Sequence, residues 1–138
     1  MMEELFIPYN EALELKKLGV GESITYACGF YYTLNGKEYK FATPSQFDII
    51  DETYDVGNNF YMVAPLYSQG FKFFREKYGL YCYVSPFIAY EDKRKIVYDI
   101  FILEDQDEEF DWDNDPYSTY EEAQLECLRK LIELCKSN

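Results

Sequence analysis

The chain has 138 residues and 48% apolar content, enough for one domain with a sizeable core and too apolar for a disordered polymer. Its 26 acids against 13 bases leave a net charge of -13, which opposes direct binding to nucleic acid or to a membrane surface and favours cationic partners. No histidine is present, which excludes Ser-His-Asp and Cys-His catalysis, histidine metal centres and a histidine pH switch.

In chain order, residues 8–18 read as a first helix. Pro8 suits its first turn, Ala12, Leu15 and Leu18 share a face, and Gly19 is a natural stop. A hairpin follows. Ile24, Tyr26, Cys28, Phe30, Tyr32 and Leu34 alternate with smaller or polar residues, Asn35-Gly36 signals a type I′ turn, and Lys37 to Ala42 returns. A two-residue turn predicts Tyr32 opposite Tyr39 and Phe30 opposite Phe41, aromatic against aromatic on one face. Residues 43–59 read as a loop with a short strand at Phe47 to Ile50, and Phe60 to Val63 as another short strand.

A second helix is expected from Pro65 to Tyr78, with Tyr67, Phe71, Phe74 and Tyr78 as its buried stripe and Gly79 as its end. Tyr81–Tyr90 and Lys95–Leu103 read as a second hairpin around Glu91-Asp92-Lys93-Arg94. In its second strand Ile96, Tyr98, Ile100 and Ile102 form one face and Val97, Phe101 and Leu103 make the other partly apolar, which suggests a central strand covered on both sides, and Pro86 implies a bulge or an edge. The last helix runs from Thr119 to Lys136, capped by Ser118 or Thr119 and striped by Ala123, Cys127, Leu131 and Leu134. The order is α-ββ-(β)-α-ββ-α: one α+β domain over 1–138, with an antiparallel sheet of two hairpins (four to five strands) packed by three helices.

No apolar run approaches the roughly 20 residues that span a bilayer. Met1-Met2-Glu3-Glu4 is acidic where a signal peptide would be basic, so a cytoplasmic location in a host cell is expected. Cys28, Cys82, Cys127 and Cys135 form no CxxC pair and read as buried free thiols, without the paired ligands of a zinc site.

The charge is concentrated. Between Ile96 and Leu128 stand twelve acids and no lysine or arginine, and without them the chain has 14 acids against 13 bases. Asp99 belongs to a strand and Glu121, Glu122 and Glu126 to a helix. The loop at 104–117 holds the remaining eight acids: Glu104, Asp105, Asp107, Glu108, Glu109, Asp111, Asp113 and Asp115, with Phe110 and Trp112 among them. These ten residues are the candidate partner-binding site. Dense carboxylates match the Lys and Arg of a basic protein surface, including one that ordinarily meets phosphates, and the two aromatic side chains suit apolar anchors.

Other chemistries read less well. Asp111, Asp113, Asp115 and Glu122 fall at positions 1, 3, 5 and 12 of an EF-hand-like loop, but Pro116 stands where that loop needs glycine, and a strand precedes it. No cofactor is expected. A catalytic carboxylate pair needs partial burial to separate its pKa values, and no nucleophile-base pair or phosphate-binding glycine loop is visible. The aromatic stripe of the second helix could line a small-ligand pocket, which is the alternative reading, although such stripes are usually core. Lys93-Arg94-Lys95 reads as a hairpin turn.

Three segments resemble a group of small proteins encoded by bacteriophages and mobile elements of gut bacteria: Ala12-Leu-Glu-Leu-Lys-Lys-Leu-Gly19, Ala64-Pro-Leu-Tyr-Ser-Gln-Gly-Phe-Lys-Phe-Phe-Arg-Glu-Lys-Tyr78 and Thr119-Tyr-Glu-Glu-Ala-Gln-Leu-Glu-Cys-Leu-Arg-Lys-Leu-Ile-Glu133. The group has no established activity, and its shared patterns are those of helix packing. The resemblance implies a mobile-element setting, in which an acidic protein would act as an anti-defence or regulatory mimic.

Overall fold

In the computed structural model, which describes residues 2–24, 26–33, 38–45, 60–89, 91–104, 109–110 and 116–136, the chain is α+β, as its mixture of hydrophobic periods implies. It divides into two compact units, Met1–Gly70 and Phe71–Asn138, and the strands fall into two three-stranded antiparallel sheets, one in each unit.

The first unit begins with a 3-10 turn at Met2–Leu5, followed by helix α1 at Tyr9–Leu18. Pro8 takes the N-cap position, and Gly19, at φ 97°, turns its N–H back to the carbonyls of Leu15 and Lys16. That left-handed cap is cheap only for a residue without a Cβ. Val20, buried, opens a single-turn helix α2 at Val20–Ser23.

Strands β1 (Phe30–Thr33), β2 (Lys40–Ala42) and β3 (Phe60–Val63) follow in the sheet order β2-β1-β3. The hairpin is real, but its register differs by one residue from the one expected. Phe30 pairs with Ala42, Tyr31 with Phe41 and Tyr32 with Lys40. A one-residue shift moves each side chain of the returning strand to the opposite face. What the observed register secures is Tyr31. Its ring is buried beside Tyr9 and Phe41, and its hydroxyl donates to the carbonyl of Ile7 at 2.7 Å. Tyr32 and Ala42 form a second buried group with Phe30. The sheet is therefore apolar on both faces at β1.

Phe6 closes the first of these groups, 4.8 Å from the ring of Phe41, while Ile7 donates its N–H to the carbonyl of Pro65 at 2.8 Å. Gly29 makes this closure possible, since a Cβ there would lie 2.6 Å from the Phe41 ring. The expected turn at Asn35-Gly36 and the expected strand at Phe47 to Ile50 lie outside the described residues.

Helix α3 (Tyr67–Tyr78) runs through the division between the units. The Gln69 side chain accepts the Leu66 N–H at 2.9 Å and so serves its first turn, and Gly79, at φ 66°, ends it. Tyr67 and Phe74 of the expected stripe are buried, together with Phe73.

Strands β4 (Leu80–Ile88) and β5 (Ile96–Glu104) pair along their full length, from Leu80 opposite Glu104 to Ile88 opposite Ile96. The short β6 (Glu109–Phe110) pairs with the other side of β5. Pro86 thus sits on an edge strand in an unbroken ladder, where its missing N–H costs no sheet bond.

Helix α4 (Tyr120–Lys136) starts where the Thr119 hydroxyl accepts the Glu122 N–H at 3.1 Å. It buries Ala123, Cys127, Leu128, Leu131, Ile132 and Cys135. Two contacts fix the sheet face it covers: Tyr120 meets Tyr98 edge to face, and Cys127 is disulfide-bonded to Cys82.

Two expectations are corrected here. Only Cys28 and Cys135 are free thiols, because strand and helix hold Cys82 and Cys127 with their Cα atoms 6.8 Å apart, within bridging range. Strand β5 is central, but α4 covers only one of its faces. The other carries Phe101 between half-exposed Val97 and Leu103, with exposed Tyr83 and Phe87 on β4.

Candidate functional site

The acidic segment leaves β5 at Glu104 and returns along the free edge of that strand. Two pairings among the described residues hold it. Glu109 pairs with Leu103 and Phe110 with Ile102. Farther on, Tyr117 and Tyr98 exchange both backbone hydrogen bonds, at 2.8 and 2.9 Å. Between these pairings the Ile100 N–H is taken by Asp99 Oδ1 at 3.2 Å, so the edge satisfies this donor internally.

Of the ten residues expected to bind a partner, Glu104, Glu109 and Phe110 are placed by backbone pairing. Asp105, Asp107, Glu108, Asp111, Trp112, Asp113 and Asp115 lie outside the described residues. The segment is therefore not one plain loop over 104–117: a strand interrupts it. Composition pointed to a loop because a two-residue strand among acids has no periodicity to read. Three of the four calcium candidates, Asp111, Asp113 and Asp115, also lie outside the description. Glu122 is exposed in the first turn of α4, and among the described residues no cluster of three or more Cys, Asp or Glu side chains is disposed to hold a metal ion.

Of the aromatic stripe expected on α3, Tyr67 and Phe74 are buried and Phe71 and Tyr78 are half-buried. The basic turn neutralises part of its own charge. Asp92 Oδ1 accepts the backbone N–H of Arg94 at 3.0 Å and lies 3.5 Å from its guanidinium Nε.

A cleft of about 590 Å³ opens in the first unit, lined by Tyr9, Asn10, Thr33, Glu38 and Tyr39. The Tyr9 and Tyr39 rings stack at 4.3 Å, and Tyr31 meets both edge-on. Sequence reasoning missed it because Tyr9 and Tyr39 come together only through the observed register of β2.

Among the described residues, Cys135 is the one titratable group with a large displacement. Burial pushes its thiol from an ordinary 9.0 to about 11, partly opposed by the ammonium of Lys77. Burial and the neighbouring Cys135 also raise Tyr78. A thiol held protonated in this way is a poor nucleophile at neutral pH. It also links stability to pH. Between 9.0 and about 11 the unfolded thiol loses its proton while the folded one keeps it, so its contribution is complete below 9.0 and disappears as pH rises through 11. Chemical denaturation at stepped alkaline pH should show stability falling across this window, with a shallower fall for Cys135→Ala.

No family model, no curated protein and no solved structure matches the chain. No described helix is long and apolar enough to cross a membrane.

Proposed function

We propose that the protein is a non-enzymatic phage or mobile-element protein that binds a basic protein surface through its acidic segment, as a nucleic-acid mimic or anti-defence factor. The observation that carries this reading is the attachment of the segment to the edge of β5 at Leu103–Glu109 and again at Tyr98–Tyr117. These pairings put the backbone of Glu109, Phe110 and Tyr117 on the edge of β5, and the acids that the sequence concentrates between 104 and 115 supply the charge a basic surface would meet. The phage or mobile-element setting rests on the resemblance of the three helical segments alone.

Asp107→Asn, Glu108→Gln, Asp111→Asn and Asp113→Asn, introduced together, should abolish capture of partners from host lysate at low salt. Wild-type capture should itself fade steeply as ionic strength rises, because exposed charges are screened beyond about 10 Å at 0.1 M salt. Capture unchanged by the four substitutions would sink this reading.

A second reading, small-ligand binding, is favoured by the first-unit cleft with its stacked Tyr9 and Tyr39 and the carboxylate of Glu38. Ligand binding there would be lost in Tyr39→Ala and would survive the four acidic-segment substitutions.

A further inference from the structure

The sheet face of β4 and β5 opposite α4 carries an aromatic platform with a carboxylate at its centre. Residues paired directly across an antiparallel ladder share a face. On this face Tyr81 therefore lies beside Leu103, Tyr83 beside Phe101, Ser85 beside Asp99 and Phe87 beside Val97. Tyr81, Tyr83 and Phe87 are 42, 47 and 45% exposed. The Tyr83 and Phe101 rings stack at 5.0 Å and 15°, and Phe87 lies 6.5 Å from Phe101. Strand propensity alone does not call for exposed rings in this number, and a contiguous apolar patch generally marks a contact surface.

Charge decides what fits. Asp99, half-buried, sits mid-platform with one carboxylate oxygen on the Ile100 N–H. A wholly apolar partner would bury Asp99 without a counter-charge. A second copy would bring two Asp99 residues towards each other, on chains that each carry a net charge of -13. Nucleic-acid bases could stack on the rings, but their phosphates would meet a chain of net charge -13. Guanidinium groups satisfy every element. They stack on ring faces, their stems lie along apolar surface, and their charge meets the Asp99 carboxylate. Elsewhere in this unit the chain already pairs a cation with rings: the Lys77 ammonium lies 5.4 Å from the centroid of Phe73 and 5.6 Å from that of Tyr78.

We infer that the outer face of β4 and β5 is a docking surface for arginine side chains of a basic protein segment. This rests on the proposed function and names the chemistry of its partner: the acidic segment attracts the basic chain, and Tyr81, Tyr83, Phe87 and Asp99 select arginine.

The test is calorimetric titration of the full chain with octa-arginine and octa-lysine at low and high salt. Octa-arginine should bind more tightly. Tyr83→Ala/Phe87→Ala should weaken it by about tenfold, from two lost cation-π contacts, while leaving its salt dependence intact. Asp99→Asn, which removes no ring, should weaken it as well. The four acidic-segment substitutions should flatten the salt dependence yet preserve the preference for arginine. Equal affinity for both peptides, or wild-type affinity in both platform variants, overturns the platform while leaving the acidic-segment reading standing. Full binding by the acidic-segment variant with loss in the platform variants does the reverse. Absence of binding by the wild-type chain overturns both. Sedimentation showing a wild-type dimer that Tyr83→Ala/Phe87→Ala dissociates would assign the face to a second copy instead.

Discussion

Removing the Cys82–Cys127 bridge is expected to lower the stability of the second unit by about 2–4 kcal/mol. The bond joins β4 to α4 across a sequence separation of 45 residues, so in the unfolded chain it closes a long loop whose freedom reduction restores. It is also one of the contacts that fix α4 over the sheet. Denaturant unfolding of Cys82→Ser/Cys127→Ala should show this loss under non-reducing conditions. Adding reductant should lower the wild type towards the variant and leave the variant unchanged. Cys28→Ser provides the control, since a free, half-buried thiol contributes nothing to this linkage. Equal midpoints for wild type and double variant would mean that the bridge constrains nothing the core does not already hold.

Leu131→Ala is expected to cost about 2–5 kcal/mol, the range for deleting a fully buried leucine side chain and leaving part of its volume empty. Leu131 is completely buried, one turn beyond Cys127 on the face of α4 that meets the sheet. Neighbours held this closely relax little, so most of the cavity should persist. Glu133→Ala, exposed on the same helix, should change stability by less than about 0.5 kcal/mol. Because Leu131 and the bridge anchor the same helix, their effects should not add. In the reduced protein Leu131→Ala should cost a different amount from that in the oxidised one, and the difference measures their coupling.

Much of the fold was legible because its signals are local. Gly19 and Gly79 stop helices as their backbone freedom suggests, and Thr119 caps α4 through its own hydroxyl three residues from the N–H it accepts. Pro86 left an edge or a bulge open, since its missing N–H is tolerated at either, and the unbroken ladder shows the edge. The long hairpin of β4 and β5 was readable from two apolar runs flanking the charged turn Glu91-Asp92-Lys93-Arg94. The first hairpin was not, because two criteria conflicted. Asn35-Gly36 favours a two-residue turn, whereas burying Tyr31 with its hydroxyl on the Ile7 carbonyl requires the neighbouring register. The contact with a residue 24 positions away prevailed.

The candidate site divides in the same manner. The concentration of acids after β5 is visible by counting. That Glu109 and Phe110 form a strand, and that Tyr117 closes against Tyr98, is not, because neither pairing has a local signature. The platform residues show the point most plainly. Tyr81, Tyr83 and Phe87 alternate as any half-buried strand does, and only the position of α4 on the opposite face leaves them exposed.

The amino-acid sequence by itself determined the α+β class, the helix ends, the lack of histidine chemistry and a negative charge gathered after residue 96. Those properties depend on composition or on interactions spanning a few residues. Tertiary structure decided the register of β1 and β2, the partner of Cys82, the attachment of the acidic segment to β5 and the face of that sheet left open. Each of these is set by competition among distant surfaces for burial, and a one-residue shift or a different helix placement would satisfy the same local preferences with a different outcome.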